Sequence, residues 1–205
     1  GEIFKLLKEL LEDKKVIKLP DVILPTASKE IKVKDAWVDE FQTVSYNCAG
    51  RSRIPKSIII SSDNQQIALL VRLTSKRDEN EITKLKEKNF NIVELDLSRN
   101  KGYNKTKMRY ALEISTSKKQ WLKHELISEA KERLKKVCEP VNGVAGGVLH
   151  SYAACPIKSD TVQDIDCWYC KYNIGERNVS DGNICFGKSG IQTYKDLLSV
   201  VDVKK

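Results

Sequence analysis

Residues 57–97 read SIIISSDNQQIALLVRLTSKRDENEITKLKEKNFNIVELDL, and this stretch decides the fold. Ser57-Ile-Ile-Ile-Ser61 and Ile67-Ala-Leu-Leu-Val-Arg-Leu-Thr74 are apolar runs of strand length, joined by the turn-forming Ser62-Asp63-Asn64. Asp78 is placed to cap a helix running to about Lys88, and Asn91 to Leu97 reads as a further strand. A hairpin followed by strand, helix and strand builds a mixed sheet with helices against it. The expected fold class is therefore α/β (α+β).

The flanks extend that plan. Upstream, residues 2–14 set Ile3, Phe4, Leu6, Leu7, Leu10 and Leu11 along one side of a helix that ends before Leu19-Pro20. Glu30 to Tyr46 is strand-like, with Ile31, Val33, Phe41 and Val44 as its apolar positions. Downstream, Lys107–Ile114 and Lys119–Val137 are expected to be helical. In the second of these, Trp121, Leu122, Leu126, Ile127, Ala130, Leu134 and Val137 form an apolar stripe that would pack Trp121 into a core. The Gly-rich run Asn142-Gly-Val-Ala-Gly-Gly147 reads as a linker over 142–150. It would divide a core domain (1–141) from a small C-terminal module (151–205).

The 205 residues carry 36 Lys and Arg against 28 Asp and Glu, a net charge of +8, with 40% hydrophobic residues. This balance excludes a disordered chain, and no apolar run approaches the roughly 20 residues of a spanning helix. Gly1 to Lys8 lack the layout of a signal peptide, so a cytoplasmic location is expected. Residues 151–205 hold seven basic and seven acidic side chains, so the whole excess belongs to 1–150, where 29 basic residues face 21 acidic ones. It is dense from Arg99 to Lys123 and from Lys131 to Lys136. Such a surface favours nucleic acid or another polyanion, and the ordinary alternative is a solvated lysine-rich face.

Six cysteines stand at 48, 138, 155, 167, 170 and 185. The last four read C-x11-C-x2-C-x14-C. The two-residue spacer of Cys167-Trp-Tyr-Cys170 lets one knuckle aim two thiolates at one ion, and Cys155 and Cys185 would complete a tetrahedral structural Zn2+ site. Disulfides would need an oxidising compartment, and a thioredoxin-like redox pair would leave Cys155 and Cys185 without a purpose. Cys48 and Cys138 read as buried thiols. His150, five residues before Cys155, is an alternative ligand.

The order of motifs resembles a known family. Arg53-Ile-Pro-Lys-Ser-Ile-Ile-Ile60, Leu70-Val-Arg-Leu-Thr-Ser-Lys-Arg-Asp78 and Val93-Glu-Leu-Asp-Leu-Ser98 follow one another as do R-x-P-D-I-I, E-I-x-V-T-H-x-V-D-x-x-K and I-E-I-D-L-S in the competence protein CoiA-like family. The helical Trp and the Cys-Pro-led cysteine module are also similar. What the resemblance implies is a restriction-endonuclease-like nuclease fold. In that family the Asp after the Pro and the Glu of the next strand bind Mg2+, and a Lys two residues after the Glu assists the attacking water.

Here the Asp position is Lys56, the Glu position Leu70 and the Lys position Arg72, while the later His and Lys are Ser75 and Glu81. Lys and Leu cannot hold Mg2+, and Lys56 and Arg72 would attract phosphate instead. The leading expectation is a catalytically degenerate nuclease-like protein of DNA processing or anti-phage defence, acting beside a protein partner that carries the active chemistry. Its DNA contacts would be Arg53, Lys56, Arg72, Lys101, Lys105, Lys107 and Arg109, unless Arg53, Lys56 and Arg72 pair with Asp63, Asp78 or Glu94. An active metal-dependent DNase rebuilt around Glu40 and Asp63 is the first alternative, and a protein-binding scaffold is the second. Glu94 and Asp96 share a strand face and suit either a metal pair or salt bridges.

Overall fold

The computed structural model describes residues 2–25, 30–48, 55–63, 65–99, 102–141, 143–144, 152–155, 157–163, 166, 169–173 and 183–200. Arg53, Lys101, His150 and Cys167 lie outside them, as does the side chain of Lys56. The chain divides into two compact units, residues 1–22 with 35–125 and residues 23–34 with 126–205.

The first unit opens with α1 (Glu2–Lys14), whose stripe buries Leu7, Leu10 and Leu11. It stops at Lys15, which turns left-handed at φ 52°. β1 (Val16–Leu19) follows; β2 (Val22–Pro25) and β3 (Glu30–Lys34), in the segment assigned to the second unit, pair as a separate two-stranded sheet. β4 (Trp37–Glu40) returns to pair antiparallel with β1. The run read as one strand from Glu30 to Tyr46 is therefore three: β3, β4 and β5 (Thr43–Cys48). Its apolar residues alternate, but Asp35-Ala36 and Phe41-Gln42 break the ladder between them.

The deciding stretch folds as read. β6 (Pro55–Ser61) and β7 (Gln66–Arg72) form an antiparallel hairpin, α2 (Glu79–Glu87) crosses over, and β8 (Asn91–Asp96) pairs parallel with β7. Asp78 caps α2 by accepting the Glu81 N–H at 3.1 Å, and Asn89 ends the helical path in the left-handed region at φ 63°. The five strands lie in the order β5-β6-β7-β8-β9, with β9 (Lys119–Lys123) antiparallel to β8. β7 and β8 are buried almost continuously because helices cover both faces. Ile58, Ile60, Ile67, Leu69, Val93 and Leu95 pack with α1 and with Met108, while Ala68, Leu70 and Ile92 pack with Ile82 and Leu85 of α2.

The helix expected over Lys119–Val137 is a correction. Residues 119–123 are β9, His124 breaks the chain, and only α4 (Glu125–Lys135) is helical. The 3.6-residue stripe was real, but β8 would otherwise present an open edge of unpaired backbone groups, and β9 fills it. Trp121 still packs against the core, from a strand, stacked on Trp37 at 5.9 Å with its indole N–H donated to the Pro20 carbonyl at 3.0 Å. Lys107–Ile114 also differs in kind. α3 (Lys105–Arg109) passes into a π-helical turn, Tyr110–Ile114, whose last carbonyls are capped from outside by Lys119.

The second unit is smaller and looser in pattern. β10 (Glu139–Val141) pairs with β14 (Asn183–Cys185), and β11 (Gly143–Val144), β12 (Tyr152–Cys155) and β13 (Asp160–Gln163) form a three-stranded sheet. This corrects the expected division, because Gly143 and Val144 of the supposed linker belong to a sheet, and α4 and β10 belong to the second unit. Glycine content was the misleading cue, since a short strand tolerates Gly when its partner supplies the ladder bonds. A 3-10 turn (Gly187–Ser189) leads to α5 (Tyr194–Leu198), opened by a reciprocal capping box between Thr193 and Asp196. Among the described residues no helix is long and apolar enough to cross a membrane.

Candidate functional site

The site is a row of side chains across the sheet face that packs on α2. Register sets Leu70 opposite Glu94 and Glu94 opposite Gln120, and the next step sets Arg72 opposite Asp96. Strand alternation then puts Leu70, Arg72, Glu94, Asp96 and Gln120 on one face. Glu94 is only 2% exposed, yet its carboxylate is fully matched. Arg77 grips it with two bonds, Nε to Oε2 at 2.9 Å and Nη2 to Oε1 at 3.0 Å, and the Gln120 amide donates to Oε1 at 2.7 Å. Arg72 Nε stands 3.3 Å away, and its Nη2 bonds Asp96, which also accepts the Ser98 N–H at 2.9 Å and the Ser98 hydroxyl at 2.6 Å.

These contacts set the protonation of both acids. Burial works to raise the Glu94 pKa, but the Arg77 and Gln120 bonds and the two guanidinium charges outweigh it and hold it below the ordinary carboxylate value. For Asp96 burial again opposes, and the Ser98 bonds with the charges of Arg72 and Arg99 prevail, so it too lies low. Both are therefore carboxylates at neutral pH. Their counter-ions are guanidinium groups.

The position of each expected residue can now be given. Leu70 is buried against α2 and Arg72 is half-buried in the acid cluster, where it forms the pairing with Glu94 read from sequence. Glu81, where the resemblance expects Lys, is buried and accepts the Ser57 hydroxyl at 2.7 Å and the Asn47 amide at 3.0 Å. Glu40 ends β4 and Asp63 sits in the turn joining β6 to β7. That turn is at the start of β7, four residues and about 13 Å of strand from Leu70, and Gln42, two residues after Glu40, bonds Ser61 at the same end, so these two acids are not brought to the Leu70 position. Lys105 pairs with Glu9, and Arg109 with Asp13 and Glu113 at 3.3 Å each, which uses them to hold α3 and its π-helical turn against α1. Lys107 is exposed.

Lys119 is 6% exposed and donates to the carbonyls of Ala111, Leu112 and Ser115. Burial, with Lys18 adding a little, pushes its ammonium down to about 7. Beside it opens a cleft of about 510 Å3, where Arg72, Arg99, Lys118 and Lys119 face a single acid, Asp96, together with Ser117 and Gln120. Lys119 is committed to its carbonyls, so three cations, Arg72, Arg99 and Lys118, stand against one anion, and the cleft suits a phosphate. Arg77 and Gln120 escaped the sequence reading because their partner Glu94 lies 17 and 26 residues away, and no local pattern marks them.

In the second unit Cys138, Cys155, Cys170 and Cys185 are free thiols, as is Cys48 in the first. Cys48 is exposed at the end of β5, which corrects its expected burial, because β5 is a sheet edge. Among the described residues no three His, Cys, Asp or Glu side chains are gathered as a metal-binding group. Cys167, one of the four expected ligands, is outside them. No protein-family model matches the chain, and no curated protein or solved structure is significantly similar to it.

Proposed function

We propose that the first unit is a nuclease-like core that binds DNA without cutting it, through the basic cleft beside the ends of β7 and β8, and that it serves DNA processing or defence beside an active partner. The observation carrying this reading is the Glu94–Arg77–Arg72–Asp96 cluster, where guanidinium groups occupy the carboxylates of the strand beside Leu70, the position at which the resemblance expects the metal-binding Glu. The run of α1, the β5–β6–β7 meander, α2 and the parallel β8 also accords with the plan the resemblance implies.

Exposure decides which contacts can be exchanged. The Asp96 pair is part-exposed, and such pairs hold by about 0–1 kcal/mol. A charge-assisted bond from Arg72 to a phosphate is worth roughly 1.5–3 kcal/mol, so phosphate can displace Asp96. It cannot displace Glu94, whose removal would leave Arg77 without its bidentate partner.

The test is a gel assay of supercoiled plasmid with Mg2+, Mn2+ or chelator, followed by titration of a labelled duplex at rising salt. An intact, retarded plasmid is expected. With about three phosphates engaged, affinity falls about 40-fold between 50 and 200 mM salt, from a slope near −0.9 per contact, and Arg99→Ala lowers that slope by about one contact. An unshifted plasmid, or affinity flat in salt, overturns the proposal and leaves the scaffold reading.

One observation favours a second reading. Glu94 stands directly opposite Leu70, a single strand from where the resemblance expects the catalytic Glu. Metal-dependent nicking that disappears in Glu94→Gln would establish a rearranged DNase with a relocated carboxylate.

A further inference from the structure

The cleft that carries the DNA-binding reading has a neighbour. β7 and β8 are parallel and end level with each other, Arg72 opposite Asp96, and after the Leu97 N–H donates to the Arg72 carbonyl at 2.8 Å the two chains part. From β7 the chain goes to α2, whose Ile82 and Leu85 pack with Leu70 on one face of the sheet. From β8 it goes to α3, whose Met108 packs with Leu69 and Leu95 on the other. Parallel strands whose connections leave to opposite faces open a crevice beyond their carboxyl ends, and open α/β sheets take their ligands there.

The crevice has two lobes, and Arg72 lines both. One is the basic cleft of about 510 Å3, with Arg72, Arg99 and Lys118 against Asp96. The other, of about 250 Å3, lies against Phe4 of α1, Leu70, Val71 and Leu73 in and just past β7, and Ile82 of α2. Most of the polar side chains in this second lobe are already engaged. Arg77 holds Glu94 with two bonds, Asp78 accepts the Glu81 N–H at 3.1 Å, and the Thr74 hydroxyl donates to the Lys76 carbonyl at 3.1 Å. What the lobe offers a ligand is therefore apolar surface, with Phe4 half-buried and Leu73 37% exposed.

An anion-binding lobe and an apolar lobe that share one guanidinium match the two halves of a nucleotide. Phosphate suits the first by charge. A base suits the second, because its planar faces are taken up by aromatic and apolar side chains and by the plane of a guanidinium such as Arg72, which Glu94 and Asp96 hold in place. A base reaches such a lobe only when it is unpaired, since in an intact duplex its neighbours cover both of its faces. We infer that the crevice holds one unpaired nucleotide of a DNA strand, its phosphate against Arg72, Arg99 and Lys118 and its base against Phe4 and Leu73. The inference rests on the DNA-binding reading and sharpens its substrate to a duplex that carries a single-stranded tail.

The experiment titrates the full chain by fluorescence anisotropy against three labelled DNAs at one salt concentration. They are a blunt duplex, the same duplex with a single-stranded tail, and the tailed duplex with abasic sugars throughout its tail. The abasic tail keeps every phosphate and removes the bases. The normal tail is expected to bind about tenfold more tightly than the abasic one, as one base stacked on protein side chains would give. In Phe4→Ala and in Leu73→Ser that ratio falls toward one. Phe4 also packs against the core, so the exposed Leu73 decides alone should Phe4→Ala fail to fold. Equal binding of the normal and abasic tails, or a ratio that survives Leu73→Ser, overturns this inference and leaves the DNA-binding reading standing. Binding to none of the three DNAs overturns both.

Discussion

The two units are held together by different means. The first buries a large cluster on both faces of one sheet, with Leu7, Leu11, Ile17, Leu19, Ile60, Ile67, Leu69, Ile92, Val93 and Leu95 all without exposure or nearly so. The described part of the second unit buries a smaller set of large side chains, among them Leu24, Ile31, Leu134, Phe186, Ile191 and Leu197, spread over short strands, α4 and a five-residue helix. At about 25 cal/mol per Å2 of apolar surface removed from water, the first has a core that can order its chain and the second has little to spend against the same entropy. The same contrast holds for charge. In the first unit cations are matched to acids far along the chain, while in the second Lys158, Lys171 and Lys188 stand in the turns after Cys155, Cys170 and Cys185.

The contrast can be broken most sharply at Leu69, in the middle of β7. Leu69→Ala removes a fully buried side chain and is expected to lower the stability of the first unit by about 2–5 kcal/mol. Urea unfolding followed by hydrogen exchange should show β6, β7 and β8 opening at lower denaturant while residues 183–200 open where they did before. Simultaneous opening of both regions would mean that the units share one cooperative core.

A smaller effect belongs to the acid cluster. Glu94→Ala leaves Arg77 without its bidentate partner and is expected to cost about 2 kcal/mol, less than a fully buried pair because the Arg77 side chain is 37% exposed. The double variant Glu94→Leu with Arg77→Met removes both charges together and should recover most of that loss in the same urea measurement. No recovery would show that Gln120 and Arg72, rather than Arg77, hold the carboxylate.

The smallest effect concerns pH. Glu94 and Asp96 both have folded pKa values below their unfolded ones, so their contribution is complete above about pH 4.5 and is lost as pH falls through the folded values. The urea midpoint of the first unit should therefore fall on acidification below that point, and Glu94→Gln should flatten the fall. A wild-type midpoint indifferent to pH from 7 to 3 would mean the cluster contributes nothing to this unit.

Particular residues show how much could be read in advance. Asp78 announced its helix, and Ser62-Asp63-Asn64 announced its hairpin, because a cap and a turn act within three or four residues. Trp121 misled, since its stripe with Leu122, Leu126 and Ala130 satisfies a helix equally well, and only the open edge of β8 turned the first part into a strand. The basic stretch misled in the same way. Lys105 and Arg109 count as positive charge in the chain, but their acids Glu9 and Asp13 lie 96 residues earlier, and Lys119 is spent on three carbonyls. Of the candidate DNA contacts whose side chains are described, Arg72 lines the cleft, while Arg99 and Lys118 beside it stood out only as members of a charged run.

Amino-acid order alone therefore determined β6, β7, α2 and β8 at the centre of the sheet, the absence of carboxylates at 56 and 70, and the spacing of the four cysteines, because each depends on neighbours a few residues away. The tertiary structure decided which edges became paired, which charges were neutralised, and that Glu94 sits beside Leu70 with two arginines upon it. Those outcomes depend on groups tens of residues apart. Their contact energies exist only after the chain has closed the loops between them.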